Sequence, residues 1–67
     1  MPKKIRELKT MLKKAGFIYR PGKGSHSVWH HPRASKAVVL AGKDGNDAKR
    51  YQEKDVKDRI REVEGNP

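Results

Sequence analysis

Residues 22–32, GKGSHSVWHHP, contain all three histidines and the only tryptophan of this 67-residue chain. Val28 and Trp29 favour extended backbone, and the flanking glycines and proline favour a turn before the segment and an end after it. We therefore expect a strand over residues 25–31, whose side chains alternate between two faces. The face that Trp29 occupies stays open, because the preceding turn can shift the alternation at His26.

The segments on either side of this stretch predict the remaining elements. A helix with one apolar stripe comes first, and Gly16 is positioned to end it. A short strand over residues 17–19 and a turn over residues 20–24 follow it. A third strand over residues 37–40 and a long polar loop over residues 42–50 lead to a second amphipathic helix. The two stripes consist of Ile5, Leu8, Leu12 and Ala15, and of Val56, Ile60 and Val63.

This order of elements predicts a small α+β fold. Short turns between the strands favour an antiparallel three-stranded sheet, and both helices need an apolar surface on which to pack. We expect a two-layer α-β-β-β-α arrangement with both helices on one face of the sheet and the other face open. The length suits one domain, over residues 1–67, with a shallow core.

The charge of the chain is strongly positive and unevenly distributed. The net charge is +9, and residues 1–43 hold eleven Lys or Arg against one acid, Glu7. Residues 44–67 hold six bases and seven acids, so the basic excess lies in the first two-thirds. Clustered positive charge is typical of proteins that bind polyanions, most often nucleic acids.

Composition also excludes several classes of protein. The chain has no cysteine, so disulfides and thiolate sites are excluded. The longest apolar run, residues 37–41, is far too short to span a membrane. The N-terminal MPKKIRELK lacks the apolar segment of a signal peptide. We expect a cytoplasmic protein with no membrane partner.

The histidines are open to three interpretations. His26 and His30 have the spacing of a helical zinc motif, but a strand is expected here and no cysteine or nearby carboxylate completes a site, so we expect no metal and no cofactor. A catalytic role needs only a base and a bound phosphate, because RNA supplies its 2′-OH as nucleophile. Lys23 and the amides around Gly22 and Gly24 could hold the phosphate. The third interpretation is a surface histidine without chemistry.

Several motifs together resemble the HicA family of mRNA interferase toxins, over residues 3–63. They are ELKTMLKKAGF (7–17), KGSH (23–26), an aromatic residue followed by HP (31–32), a valine-rich strand and a final amphipathic helix. The resemblance implies a fold like the double-stranded RNA-binding domain and cleavage of mRNA without a metal ion. It also implies a HicB-type antitoxin as partner. The loop over residues 42–50 departs from the family in its length and its acids.

The resemblance implies that His26, in the motif Gly24-Ser25-His26, is the catalytic residue. It assigns no role to His31, which matches the His-Pro of the family. Two alternatives remain: a non-catalytic double-stranded RNA-binding module and a protein-interaction module that docks an acidic partner. The residues expected to bind RNA phosphates are Lys9, Lys13, Arg20, Lys23, Gly24, Ser25 and Arg33.

Overall fold

The computed structural model describes residues 2–65 and has the predicted order of two helices and three strands. The sheet is antiparallel with the strand order β1-β2-β3, and both helices pack on one face of it. The predicted α+β fold is therefore confirmed. Neither helix of this described part of the chain is long and apolar enough to cross a membrane. The elements are α1 (Ile5–Lys14), β1 (Ile18–Pro21), β2 (Ser27–His30), β3 (Val38–Leu40) and α2 (Arg50–Val63).

The core lies between the helices and the face of the sheet that carries Trp29. The side chain of Trp29 is only 1% exposed, which answers the question that the sequence left open. Its indole N–H donates a hydrogen bond of 3.0 Å to the hydroxyl of Ser27, so that the buried polar atom has a partner. The other buried apolar residues are Ile5, Leu8, Leu12, Phe17, Val38, Leu40, Ala48, Val56 and Val63.

The predicted end of the first helix is confirmed, but the strand limits differ from those expected. Gly16 has a φ of +92°, the left-handed conformation that ends helices. Phe17, expected in the first strand, precedes β1 and is buried in the core. The strand β1 extends instead to Pro21, which an edge strand tolerates. The strand β2 is shorter than expected and leaves His26 in the preceding turn.

The second face of the sheet is open to solvent. Cα partners in an antiparallel pair direct their side chains to the same side, so Ile18 and His30 share one face, as do Arg20 and Val28. Alternation places these side chains opposite the buried Trp29. We call the surface formed by Ile18, Arg20, Val28, His30 and Val39 the open face.

The long loop after β3 is tied to the start of α1. The backbone N–H of Ile5 donates to the carbonyl of Asn46 at 2.9 Å, and that of Arg6 donates to the carbonyl of Asp44 at 3.1 Å. The first N–H groups of a helix have no partner within it, so the loop satisfies two of them. An ion pair between Lys4 and Asp47, at 2.6 Å, adds to this attachment. The acids of the loop therefore neutralise part of the charge of α1.

Candidate active site

The turn between β1 and β2 fixes the backbone of His26. The N–H of Gly22 donates to the carbonyl of His26, and the N–H of His26 donates to the carbonyl of Lys23, both at 3.0 Å. A Cβ atom at Gly22 would lie 3.1 Å from the Cβ of His26 and 3.2 Å from its carbonyl oxygen. Gly24 has a φ of +58°, which favours glycine. The glycines of the motif therefore allow a close turn around the histidine.

The same turn sets the tautomer of the His26 ring. Its Nδ1 lies 2.8 Å from the carbonyl oxygen of Lys23. A carbonyl can only accept a hydrogen bond, so Nδ1 carries the hydrogen, and Nε2 of the neutral ring carries the lone pair. The side chain is exposed to solvent. His26 is thus oriented to accept a proton at Nε2.

His26 lines a groove between α1, the β1–β2 turn and the loop after β3. Lys9 of α1, Tyr19 of β1 and Lys43 of the loop lie along this part of the groove. The groove continues along α1, where Lys13 and the edge of Trp29 line it. We call the two parts together the His26 groove. Its full lining is Arg6, Lys9, Thr10, Lys13, Tyr19, Gly24, Ser25, His26, Ser27, Trp29, Gly42, Lys43 and Asp44.

The charge of the His26 groove is mainly positive. Its lining includes four basic side chains, those of Arg6, Lys9, Lys13 and Lys43, and one carboxylate, that of Asp44. The ammonium of Lys9 lies 2.6 Å from the carboxylate of Asp44. A solvent-exposed ion pair of this kind contributes about 0–1 kcal/mol, so an incoming phosphate can replace the carboxylate at small cost. The groove is therefore suited to an anionic ligand.

Most of the residues that the sequence analysis proposed lie in this groove. Lys9, Gly24 and Ser25 line it together with His26, and Lys13 lines the adjoining part. Lys23 contributes its backbone carbonyl, which holds the ring of His26. The sequence thus identified one wall of the groove through the helix and another through the glycine turn.

Two of the proposed residues lie elsewhere. Arg20 pairs with Val28 on the open face of the sheet, opposite the side that carries the groove. Arg33 follows β2, and its Nη2 would lie 3.6 Å from a Cβ at Gly65, just beyond the end of α2. Neither arginine lines the His26 groove.

The three histidines are separated by the fold. His30 is exposed on the open face. The Nδ1 of His31 accepts a hydrogen bond of 3.0 Å from the N–H of Arg33, and the His31 ring packs against Phe17 with centroids 5.1 Å apart. Within residues 2–65, no group of three His, Asp or Glu side chains is arranged to hold a metal ion.

Several residues of the groove were missed by sequence reasoning. Tyr19 could have been found, because counting back from the turn pairs it with Trp29 and places both on one face. Lys43 and Asp44 had no signal, since their position depends on how the long loop packs on α1. Arg6 and Thr10 belong to the polar side of α1, whose contacts the spacing alone does not define.

Two carboxylates outside the groove have shifted pKa values. The N–H of Ser35 donates to Glu62 at 2.8 Å and its hydroxyl at 3.2 Å, and these bonds lower the pKa of Glu62. The ammonium of Lys54 donates to Asp58 at 3.0 Å and lowers the pKa of Asp58. Both carboxylates lie on α2. The Glu62 bonds attach the loop after β2 to the end of that helix.

Comparison with known proteins identifies the family. The family model described as the HicA toxin of bacterial toxin–antitoxin systems matches residues 5–63, which is most of the chain. The chain belongs to the HicA toxin family, and the resemblance noted in the sequence is confirmed. Membership implies an antitoxin as partner. Searches of curated proteins and of solved structures gave no match.

Proposed function

We propose that this toxin is an endoribonuclease that cleaves mRNA in the cytoplasm, and thereby blocks translation, with His26 as the general base. The observation that supports this most is the hydrogen bond from the His26 ring to the carbonyl of Lys23. It makes Nε2 the basic atom of a side chain that lines a cationic groove. No metal ion takes part in the proposed reaction, because the base and the 2′-OH of RNA suffice for it.

In the proposed reaction, Nε2 of His26 takes the proton of a ribose 2′-OH, and the 2′-oxygen attacks the adjacent phosphorus. The bond from phosphorus to the 5′-oxygen of the next nucleotide breaks, and that oxygen takes a proton from water. The products are a 2′,3′-cyclic phosphate end and a 5′-hydroxyl end. General base catalysis by a positioned side chain typically contributes about 10²–10⁴-fold to a rate.

The proposal assigns the scissile phosphate to the part of the groove beside His26. Lys9 contacts it after leaving Asp44, and the backbone amides of Gly24 and Ser25 contact it from the turn. Lys13 contacts a neighbouring phosphate along α1. Arg20 and Arg33 lie outside the groove and are assigned no contact with the reacting phosphate. The side chain of Lys23 adds positive charge at the turn.

The direct test is to incubate the purified protein with a long RNA, with and without EDTA, and to map new ends. We expect cleavage that persists in EDTA and leaves 2′,3′-cyclic phosphate or 3′-phosphate ends. Loss of cleavage in EDTA would contradict the metal-free reaction. Salt-dependent binding without new ends would instead favour a non-catalytic double-stranded RNA-binding module. Absence of RNA binding would favour the protein-interaction module.

The proposal also assigns the mode of inhibition. The partner is a HicB-type antitoxin that covers the His26 groove and offers carboxylates to its lysines, since opposite charge speeds association. Diethyl pyrocarbonate, which modifies exposed histidines, provides the test. In the complex, His26 should be protected, whereas His30 on the open face serves as an internal control. Equal reactivity of His26 in the free and bound toxin would exclude direct occlusion.

A further inference from the structure

Tyr19 forms an exposed aromatic surface within the His26 groove. Its ring lies against Trp29, with centroids 5.3 Å apart and planes inclined by 56°. Trp29 is buried, whereas Tyr19 is 50% exposed. Trp29 therefore supports one side of the tyrosine ring and holds it in position, while half of the tyrosine surface remains open to a ligand.

The space beside Tyr19 is bounded by the basic side of α1. Arg6, Lys9 and Lys13 line this part of the groove, whose volume is about 320 Å³. Sites for small organic groups have volumes of about 300–1,000 Å³, so one planar ring system fits. Tyr19 also lines the part of the groove that contains His26. A ligand that contacts Tyr19 therefore lies next to the catalytic position.

We propose that Tyr19 binds an unpaired nucleobase of the RNA, from a nucleotide next to the phosphate that is cleaved. The second half of this statement rests on the nuclease function proposed above, whereas the base site itself does not. Proteins that bind single-stranded nucleic acids combine aromatic rings, on which bases stack, with basic side chains that contact the phosphates. This part of the His26 groove contains both, because Tyr19 lines it together with Lys9 and Lys13.

The other aromatic residues do not offer such a surface. Phe17 and Trp29 are buried in the core, and Tyr51, which is 64% exposed, lies on α2 outside the lining of the groove. A base can stack on Tyr19 only when its own face is free, which a base inside an RNA helix does not offer. The site therefore selects single-stranded segments, loops or ends over continuous duplex.

The test separates contacts with bases from contacts with phosphates. The affinity of the His26→Asn protein, which should bind without cleaving, is measured for a single-stranded RNA and for an oligomer of the same length that lacks its bases. In this background, Tyr19→Leu should weaken binding to the RNA by about 5–150-fold, the range for loss of one stacked base. It should leave affinity for the abasic oligomer unchanged. Tyr19→Phe should retain the RNA affinity.

Tyr51→Leu is the matched control, because it removes the other exposed tyrosine, which lies on α2 outside the groove. It should change neither affinity. The proposal is overturned if Tyr19→Leu leaves RNA binding unchanged, or if it weakens binding to both oligomers equally. If Tyr19→Leu does not fold, the two affinities of the His26→Asn protein, which keeps Tyr19, show whether the protein contacts bases. Equal affinity for RNA and for the abasic oligomer would then overturn the proposal.

The same measurements distinguish this proposal from the nuclease function. Wild-type protein that prefers RNA through Tyr19 but leaves it intact would refute the nuclease and keep the base site. Wild-type protein that cleaves RNA, with affinity insensitive to Tyr19→Leu, would keep the nuclease and refute the base site.

Discussion

The two ends of β2 each carry a histidine that is bonded to the backbone through Nδ1, but the two bonds run in opposite directions. Before the strand, His26 donates from Nδ1 to the carbonyl of Lys23. After the strand, the Nδ1 of His31 accepts from the N–H of Arg33. The neutral rings are therefore opposite tautomers, with the lone pair on Nε2 in His26 and on Nδ1 in His31.

The surroundings of His26 and His31 also differ, in exposure to solvent and in neighbouring side chains. His26 lines a solvent-open groove with basic side chains, whereas His31 is half-buried against Phe17. The lone pair of His31 accepts the hydrogen bond that holds the turn. The lone pair of His26 lies on Nε2, where the proposed role as general base requires it. The backbone group beside each ring, a carbonyl at His26 and an N–H at His31, therefore decides which nitrogen bears the lone pair.

The largest expected difference in the rate of RNA cleavage comes from replacing each of the two histidines, His26 and His31, by asparagine. Asparagine keeps a polar group near the position of Nδ1 but has no atom at Nε2. His26→Asn should therefore lower the rate of RNA cleavage by about 10²–10⁴-fold, the usual contribution of a general base. His31→Asn should stay within a few-fold of wild type. The check is single-turnover cleavage of one RNA by both variants, and equal losses would remove the distinction.

The next effect concerns the turn that holds His26. Gly22→Ala would bring a methyl group against the Cβ and carbonyl of His26, so it should displace the ring. A displacement of about 1 Å lowers catalytic rates by up to about 10²-fold. We expect a loss of about 10–100-fold in cleavage rate, measured beside Gly45→Ala. Gly45 has no atom within 4 Å of an added Cβ, and a similar loss there would contradict the role of the turn.

A smaller effect, on the affinity for RNA, is expected from removing one positive charge from the His26 groove. Lys9→Gln should weaken RNA binding and reduce the slope of log affinity against log salt by about 0.7–0.9, the value for one lost phosphate contact. Lys57→Gln, on the exposed surface of α2, is the matched control and should leave the slope unchanged. Titrations of labelled RNA at several salt concentrations measure both slopes. Identical slopes for the two variants would mean that the groove does not bind the phosphates.

The smallest effect concerns the loop that follows β2 and His31. Ser35 of this loop donates two hydrogen bonds to Glu62 of α2 and so attaches the loop to that helix. Because hydrogen bonds from Ser35 lower the folded-state pKa of Glu62 below its usual value of 4.5, the carboxylate stabilises the fold above that pH. The stabilisation is lost as the pH falls through the folded-state pKa. Thermal unfolding should show Glu62→Gln slightly less stable than wild type at pH 7, with a difference that shrinks as the pH falls below 4.5. A difference that persists in acid would contradict this pairing.

The sequence predicted the parts of the molecule that depend on local rules. The spacing of Ile5, Leu8 and Leu12 predicts a buried helix face, and all three side chains are buried. Gly16 ends that helix in the left-handed conformation, as its position indicated. The order of strands follows from the turns between them, so the fold class was accessible without a structure.

Only part of the lining of the His26 groove could be predicted from the sequence, because the other residues are brought there by tertiary packing. The face of Trp29 depends on the parity of the turn, and once that is known the position of Tyr19 follows from the register. Lys43 and Asp44 reach the groove through the packing of the loop on α1, which no spacing rule encodes. Arg20 was proposed for its charge and its place near the turn, but strand alternation places it on the open face.

The central claim, that opposite tautomers separate the two histidines, is tested most directly by ¹⁵N NMR. Long-range ¹H–¹⁵N correlations of the imidazole rings, recorded at a pH where the rings are neutral, identify the protonated nitrogen of each histidine. We predict the hydrogen on Nδ1 for His26 and on Nε2 for His31. A spectrum in which His26 carries its hydrogen on Nε2 would contradict the account, because the Lys23 carbonyl would then not orient the ring and Nε2 would have no lone pair for the 2′-OH proton.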